Sequence, residues 1–201
     1  MVNRLIRVKF IYLLSLSIIA AVPIFDNISD WKILSESPVW IGWTEINDEY
    51  WCESHKLIDF PIDQVSSVIN NKKKYPDVFK RIVGVDTYGD IVHIKLDMPF
   101  PFASRDYIVK YSKVVNNDTL YYNWINTLTE SIPILKNYVR LENAAGQWKL
   151  IDVNGSTYVC YRWNGELRGD FPNWALTKAW KEQGAEVLLW LEEYLEGSSS
   201  E

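Results

Sequence analysis

Between residues 91 and 163 hydrophobic and polar positions alternate with a period near two, and short polar turns separate the runs. The pattern predicts strands over Ile91–Leu96, Tyr107–Val115, Thr119–Thr127, Lys136–Glu142, Gln147–Val153 and Ser156–Trp163. The linkers are brief: Asn116–Asp118, Asn143–Gly146 and Asn154-Gly155. The last is a two-residue hairpin signal, because both central residues of such a turn need positive φ. Consecutive hairpins predict an antiparallel meander. Earlier in the chain, Trp40–Thr44 and Tyr50–Phe60 also read as strands. In the second, Trp51, Glu53, His55 and Leu57 alternate with Cys52, Ser54, Lys56 and Ile58, so neither face is cleanly apolar.

Elsewhere the period lengthens. Ile28, Trp31 and Leu34 recur at helical spacing, which predicts a short helix or connector over residues 26–39. Pro61 opens a helix carrying Val65, Val68, Ile69 and Tyr75. Pro76 begins a second, short helix with Val78, Phe79 and Ile82, and Gly84 stops it. A long helix over Asn173–Glu196 closes the chain, ahead of a flexible tail at 197–201. Its stripe of Leu176, Trp180, Val187, Leu191 and Tyr194 is widened by Leu188 and Leu195. Gly184 lies on or beside that stripe, which means either close backbone approach or room for a ligand.

An antiparallel sheet of this length curls under its own twist. The final helix must bury its stripe, and the concave side of the curled sheet is the place for it. Space that sheet and helix leave unfilled between them becomes an interior cavity, and such a cavity is a ligand site.

Composition narrows the options. With 201 residues, 48% hydrophobic and 23% charged, the chain has enough apolar material for one sizeable core and is not a disordered or polytopic membrane sequence. A formal charge of −5 argues against nucleic acid as partner. Residues 1–25 stand apart: Arg4, Arg7 and Lys9 lead an apolar run from Phe10 to Val22, closed by Pro23. This describes a signal peptide for export to a periplasmic or secreted location, or a retained N-terminal membrane anchor. Loss of those three basic residues takes the charge from −5 to −8, so any transient membrane contact has to be apolar or local.

The run from Met98 to Ile108, with Pro-Phe-Pro-Phe-Ala-Ser-Arg-Asp-Tyr between, resembles the strand-loop-strand signature of START domains, the steroidogenic-acute-regulatory-related lipid-transfer modules. It is especially similar to their phosphatidylcholine-transfer branch. Tyr138–Leu150 and the Gly169–Trp174 approach to the last helix fit the same family. The resemblance implies an α+β helix-grip fold over residues 40–196, a curved antiparallel sheet wrapped around the C-terminal helix. It also implies one enclosed lipid or sterol-like molecule; a monomer that carries or senses it, with no cofactor, is the expectation. In a helix-grip sheet the strands of Cys52 and Cys160 are neighbours, so a disulfide and two separate buried thiols are both open.

Candidate ligand-binding residues follow from charge and aromaticity. Arg105 can present forked donors to a headgroup inside the cavity, or it can be a structural partner of Asp97 or Asp106. Tyr107, Tyr122, Trp124, Trp163 and Trp180 join broad apolar bodies to single polar tips and suit a lipid pocket or a core. Val187 and Leu191 line it from the helix. His55 and His93 have no second ligand at metal-binding spacing, so no metal is expected. Neither a nucleophile elbow nor a phosphate loop appears in the sequence. Two rivals stay open: a cyclase- or hydrolase-like enzyme using Asp97, Arg105 and Tyr107, and an interaction domain whose cavity has filled in.

Overall fold

A computed structural model describes residues 22–23, 25, 28–127, 132–169 and 171–198. The N-terminal basic and apolar run, read as signal peptide or anchor, lies outside them except at its end. The elements run β1 (Lys32–Ser35), β2 (Trp40–Ile46), β3 (Glu49–Ile58), α1 (Ile62–Asn70), a 3-10 turn at Lys72–Lys74, α2 (Tyr75–Val78), β4 (Ile82–Tyr88) and β5 (Ile91–Leu96). Then come β6 (Ser104–Asn116), β7 (Thr119–Asn126), β8 (Tyr138–Arg140), β9 (Ala145–Val153) and β10 (Ser156–Asn164). A 3-10 turn at Asn173–Ala175 leads into α3 (Leu176–Ser198). One ten-stranded sheet has the order β1-β2-β3-β10-β9-β7-β6-β5-β4. The β3–β10 pair brings the early strands against the last one.

Three local expectations are corrected. Residues 32–35 are a strand, not part of a helix, and pair with β2; Ile28 and Trp31 pack on the outer sheet face, whereas Leu34 packs against the inner core, so their three-residue spacing is not one helical stripe. β4 was not expected, because Ile82 and Gly84 read as a helix end. A register irregularity between those two residues hides the alternation. The meander is also interrupted. β6 is 13 residues long and pairs with β7 only through Val109–Asn116. The open edge at Ser104–Asp106 is taken by β8, which runs parallel to it. The hairpin at Asn154-Gly155 forms as expected, with φ of 53° and 91°.

Both faces of β3 are covered, which explains its mixed pattern. Inward, Cys52, Ser54 and Ile58 are buried, and Lys56 meets Glu192 of α3 at 2.9 Å. Outward, Trp51 meets Phe25 edge-on at 5.3 Å, and Val22, Ile28 and Trp31 pack around this second cluster. The β3–β10 register sets Cys52 opposite Trp163 and Cys160 opposite His55. Residues an odd number apart face opposite sides of a strand, so the two sulfurs point away from each other and both remain thiols. The disulfide is therefore corrected: neighbouring strands are not sufficient when the register is three residues out.

α3 buries Trp180, Gly184, Leu188, Leu191 and Leu195 against the sheet. Each large apolar side chain there contributes about 1.5–3 kcal/mol by leaving water. Gly184 resolves to close approach. A Cβ there would stand 3.1 Å from Trp163 Cη2 and 3.2 Å from both Ile41 and Ser54. Gly146 is tighter still, since a Cβ would collide with the Trp124 ring and with the Arg162 carbonyl oxygen. Gly146→Ala is therefore expected to lower unfolding free energy by at least about 1–3 kcal/mol, the usual cost of overpacking. Urea denaturation of the two proteins checks it; an unchanged midpoint would show that the strands relax freely.

Candidate ligand-binding site

Because α3 sits down on β2 and β3, its other flank stands off from the rest of the sheet. The gap is a pocket of about 360 Å³ between that flank, α2 and the β5–β10 strands. Ala179, Gln183 and Val187 line it from the helix, and Trp124, Trp148 and Tyr161 from the sheet. Tyr107, Tyr111 and Tyr161 lie deep in the protein, yet each keeps accessible surface where it faces this space. The rings are mutually braced: Trp148 and Tyr161 are 4.5 Å apart, and Tyr161 stacks on Trp163 at 4.9 Å.

The closed end is polar in a restricted way. Burial pushes the phenols of Tyr75, Tyr107, Tyr111 and Tyr161 well up from the ordinary tyrosine range, because desolvation penalises phenolate. Tyr75 donates to the carbonyl of Ile69 at 2.7 Å. Behind them Lys72 lays its ammonium over the rings of Tyr111 and Tyr122, at 4.5 and 5.1 Å. Burial, and then the nearby charge of Lys113, push its pKa down to about 8.

The open end is charged and pinned. Arg81 forms a two-point pair with Glu186 of α3, at 2.6 and 2.7 Å, and this raises the Arg81 pKa. Lys80 pairs with Glu193 at 2.7 Å. Together they tie the helix to the α2–β4 corner across the edge of the pocket. Two large apolar side chains project beside the opening: Phe100, 97% exposed, and Trp174, 83% exposed.

The structure brings five of the expected residues to the pocket wall: Arg105, Tyr107, Trp124, Trp163 and Val187. It does not bring the others. Tyr122, Trp180 and Leu191 are buried core; Trp180 donates instead to the Gly165 carbonyl at 2.8 Å. Asp97 is exposed in an adjoining, more open recess beside Lys80 and Trp190, and accepts from Ser104 Oγ at 3.2 Å. Arg105 is fully buried. It donates to the carbonyls of Leu167 at 3.2 Å, Arg168 at 3.0 Å and Ala103. Its guanidinium thus fastens the start of β6 to the segment that leads into α3.

Asp106 points to the other side of the strand. There it accepts from His93 Nε2 at 2.7 Å and from Arg140 Nε and Nη2 at 2.9 and 2.7 Å. Sequence reasoning missed Tyr75 and Phe79 as pocket residues, although their spacing of four on a helical stretch was a usable signal. It also missed the Arg81–Glu186 latch, whose members are 105 positions apart with no local signature.

No protein-family model and no curated protein matches the chain. Solved structures do. Human StAR-related lipid transfer protein 5 superposes with a TM-score of 0.80 at 12% identity, over 87% of this chain and 91% of that one. A STAR-related lipid transfer protein fragment from Xanthomonas axonopodis gives 0.73 at 16%, over 83% and 98%. The Zhui aromatase/cyclase from a Streptomyces species gives 0.52 at 16%, over 73% and 93%. The chain therefore has the helix-grip fold of START domains. These likenesses do not single out the phosphatidylcholine-transfer branch.

The buried phenols make alkaline pH a probe of the pocket. A group whose folded pKa is raised keeps its proton in the native state after the unfolded chain has released it. Stability is thus expected to fall above about pH 10, the ordinary tyrosine pKa. Lys72 acts in the opposite sense below that point. Its folded pKa of about 8 means that the unfolded chain binds more protons from there to the ordinary lysine value, so its contribution rises with pH over that window. In an alkaline titration the phenolate signal of Tyr75, Tyr107, Tyr111 and Tyr161 should appear only together with loss of near-ultraviolet circular dichroism. Smooth ionisation of every tyrosine in the folded protein would contradict the assignment.

Proposed function

We propose that the chain is a non-catalytic lipid-binding module that holds one apolar or amphipathic molecule in this pocket, to carry or sense it. The observation that carries the reading is a space of about 360 Å³ walled by aromatic rings, in a fold whose solved examples include proteins named for lipid transfer. Ligand sites commonly occupy about 300–1,000 Å³ and are mostly apolar with a few placed polar groups. The driving force is removal of ligand surface from water, about 25 cal/mol per Å² before ordering costs.

Entry needs the opening to widen. The segment that begins α3 and the loop at residues 97–103 form its edge, and Arg105 and the Arg81–Glu186 pair are the contacts that hold it. Phe100 and Trp174 supply apolar contact with a bilayer surface, which suits an acidic protein better than electrostatic docking. Export behind the basic and apolar N-terminal run, or tethering by it, completes the reading.

Likeness to an aromatase/cyclase is a likeness of fold. The polar groups among the deep aromatic rings are phenols held protonated by burial, and of the charged groups in the lining Arg81 engages Glu186 at the edge and Arg105 engages backbone carbonyls. Such furnishing suits binding better than proton transfer. The unfilled space speaks against an interaction domain with a solid interior.

Ala179 offers a way to fill the pocket from the helix without removing a polar group. Ala179→Trp is expected to cut uptake of a fluorescent fatty acid or sterol at least tenfold while circular dichroism stays native. Equal uptake by both proteins would place the ligand elsewhere. Failure of the unaltered protein to take up any fatty acid, sterol or phospholipid would overturn the reading.

A further inference from the structure

The outer face of the sheet carries a second cluster that the pocket does not use. The β3–β10 register places His55 directly opposite Cys160, and Glu53 lies on the same face two residues along β3. One imidazole nitrogen, the Cys160 sulfur and a Glu53 carboxylate oxygen lie within 4.8 Å of one another. Sequence spacing could not reveal this, since the cysteine is 105 residues from the histidine.

From this juxtaposition we propose that Cys160, His55 and Glu53 form a binding site for a zinc-class transition-metal ion on the sheet face opposite the lipid pocket. Donor chemistry sets the class. Thiolate with imidazole selects zinc-like ions over magnesium or calcium, and a single carboxylate oxygen completes a three-ligand set with one open position. Spacing is close to what such an ion needs. In a tetrahedral site with bonds of about 2.0–2.3 Å, ligand atoms stand about 3.4 Å apart. His55 Nδ1 already donates to Glu53 Oε1 at 3.0 Å, and small rotations bring the sulfur in.

The surroundings hold the donors still. Arg162 Nε donates to Glu53 Oε2 at 2.6 Å, leaving Oε1 turned to His55. Arg162 Nη1 donates in turn to Gln147 at 2.8 Å. His55 is stacked on Trp40 at 4.5 Å with the planes 4° apart, and Tyr158 covers it from another side at 5.3 Å. Lys149 is the β9 partner of Cys160. The arginine charge offsets the carboxylate, so the thiolate supplies the net negative charge that receives the cation. Glu53 and Cys160 are buried, whereas His55 keeps 23% of its side chain exposed and provides the entry edge. Metal binding at Nδ1 leaves the ring proton on Nε2, and the thiol proton is displaced to solvent. Cys52, on the inner face with its thiol pushed up by burial, takes no part.

Metal-free full-length protein titrated with Zn²⁺ against a chromophoric chelator should bind one equivalent. Titration with Co²⁺ should give sulfur-to-cobalt charge-transfer absorption. Cys160→Ser and His55→Ala should each weaken Zn²⁺ binding at least tenfold and abolish the cobalt band, with lipid uptake unchanged. Absence of a cobalt–thiolate band in the unaltered protein overturns the proposal whether or not the variants fold. Binding that survives Cys160→Ser overturns it as well.

Discussion

Gly184 and the side chains beside it on α3 decide how this molecule is put together. Because nothing stands between the helix backbone and Trp163, Ile41 and Ser54, the helix settles onto β2, β3 and β10 along the line of Trp180, Leu188, Leu191 and Leu195. A sheet of ten strands is wider than one helix can cover. The remaining strands curve past it with their aromatic side chains pointing inward, and the pocket is what the helix fails to fill. Close contact on one flank and open space on the other are consequences of one fit.

Polar groups near the pocket fall into two sets with different work. Arg105 and Asp106 are buried, Arg140 is half-buried, and all three are hydrogen-bonded within the protein, where their contacts fix the loop and strand ends around the opening. Removing one member of such a set strands the rest, which is why buried charges occur in hydrogen-bonded groups. The phenols at the closed end are different. They line the pocket itself: Tyr75 donates to the Ile69 carbonyl, Tyr111 and Tyr161 are hydrogen-bonded to Tyr75 and Gln183, and in this water-poor space a ligand oxygen that joins them gains most from a hydrogen bond.

Legibility in the sequence followed the range of the physics. Asn154-Gly155 was readable because a tight hairpin is a property of two residues and their φ angles. The α3 stripe was readable because its period is written in consecutive turns. Register was not: Cys52 and Cys160 sit on neighbouring strands as expected, yet an offset of three turns their sulfurs to opposite faces. For the same reason the Cys160–His55–Glu53 cluster and the Arg81–Glu186 pair left no trace in local spacing. Aromatic residues were the hardest to place. Tyr107 and Trp124 face the pocket while Tyr122 is packed in the core, and β-strand alternation alone cannot tell an inward ring that meets a cavity from one that meets a neighbour.

The account turns on whether the gap beside α3 holds a guest. Native mass spectrometry of the protein taken from its own host, under conditions gentle enough to keep non-covalent partners, reads this directly. The expected spectrum shows one adduct per chain that leaves on activation and is recovered in an organic extract as a water-insoluble molecule. A bare chain mass, unchanged after incubation with lipid vesicles, would contradict it.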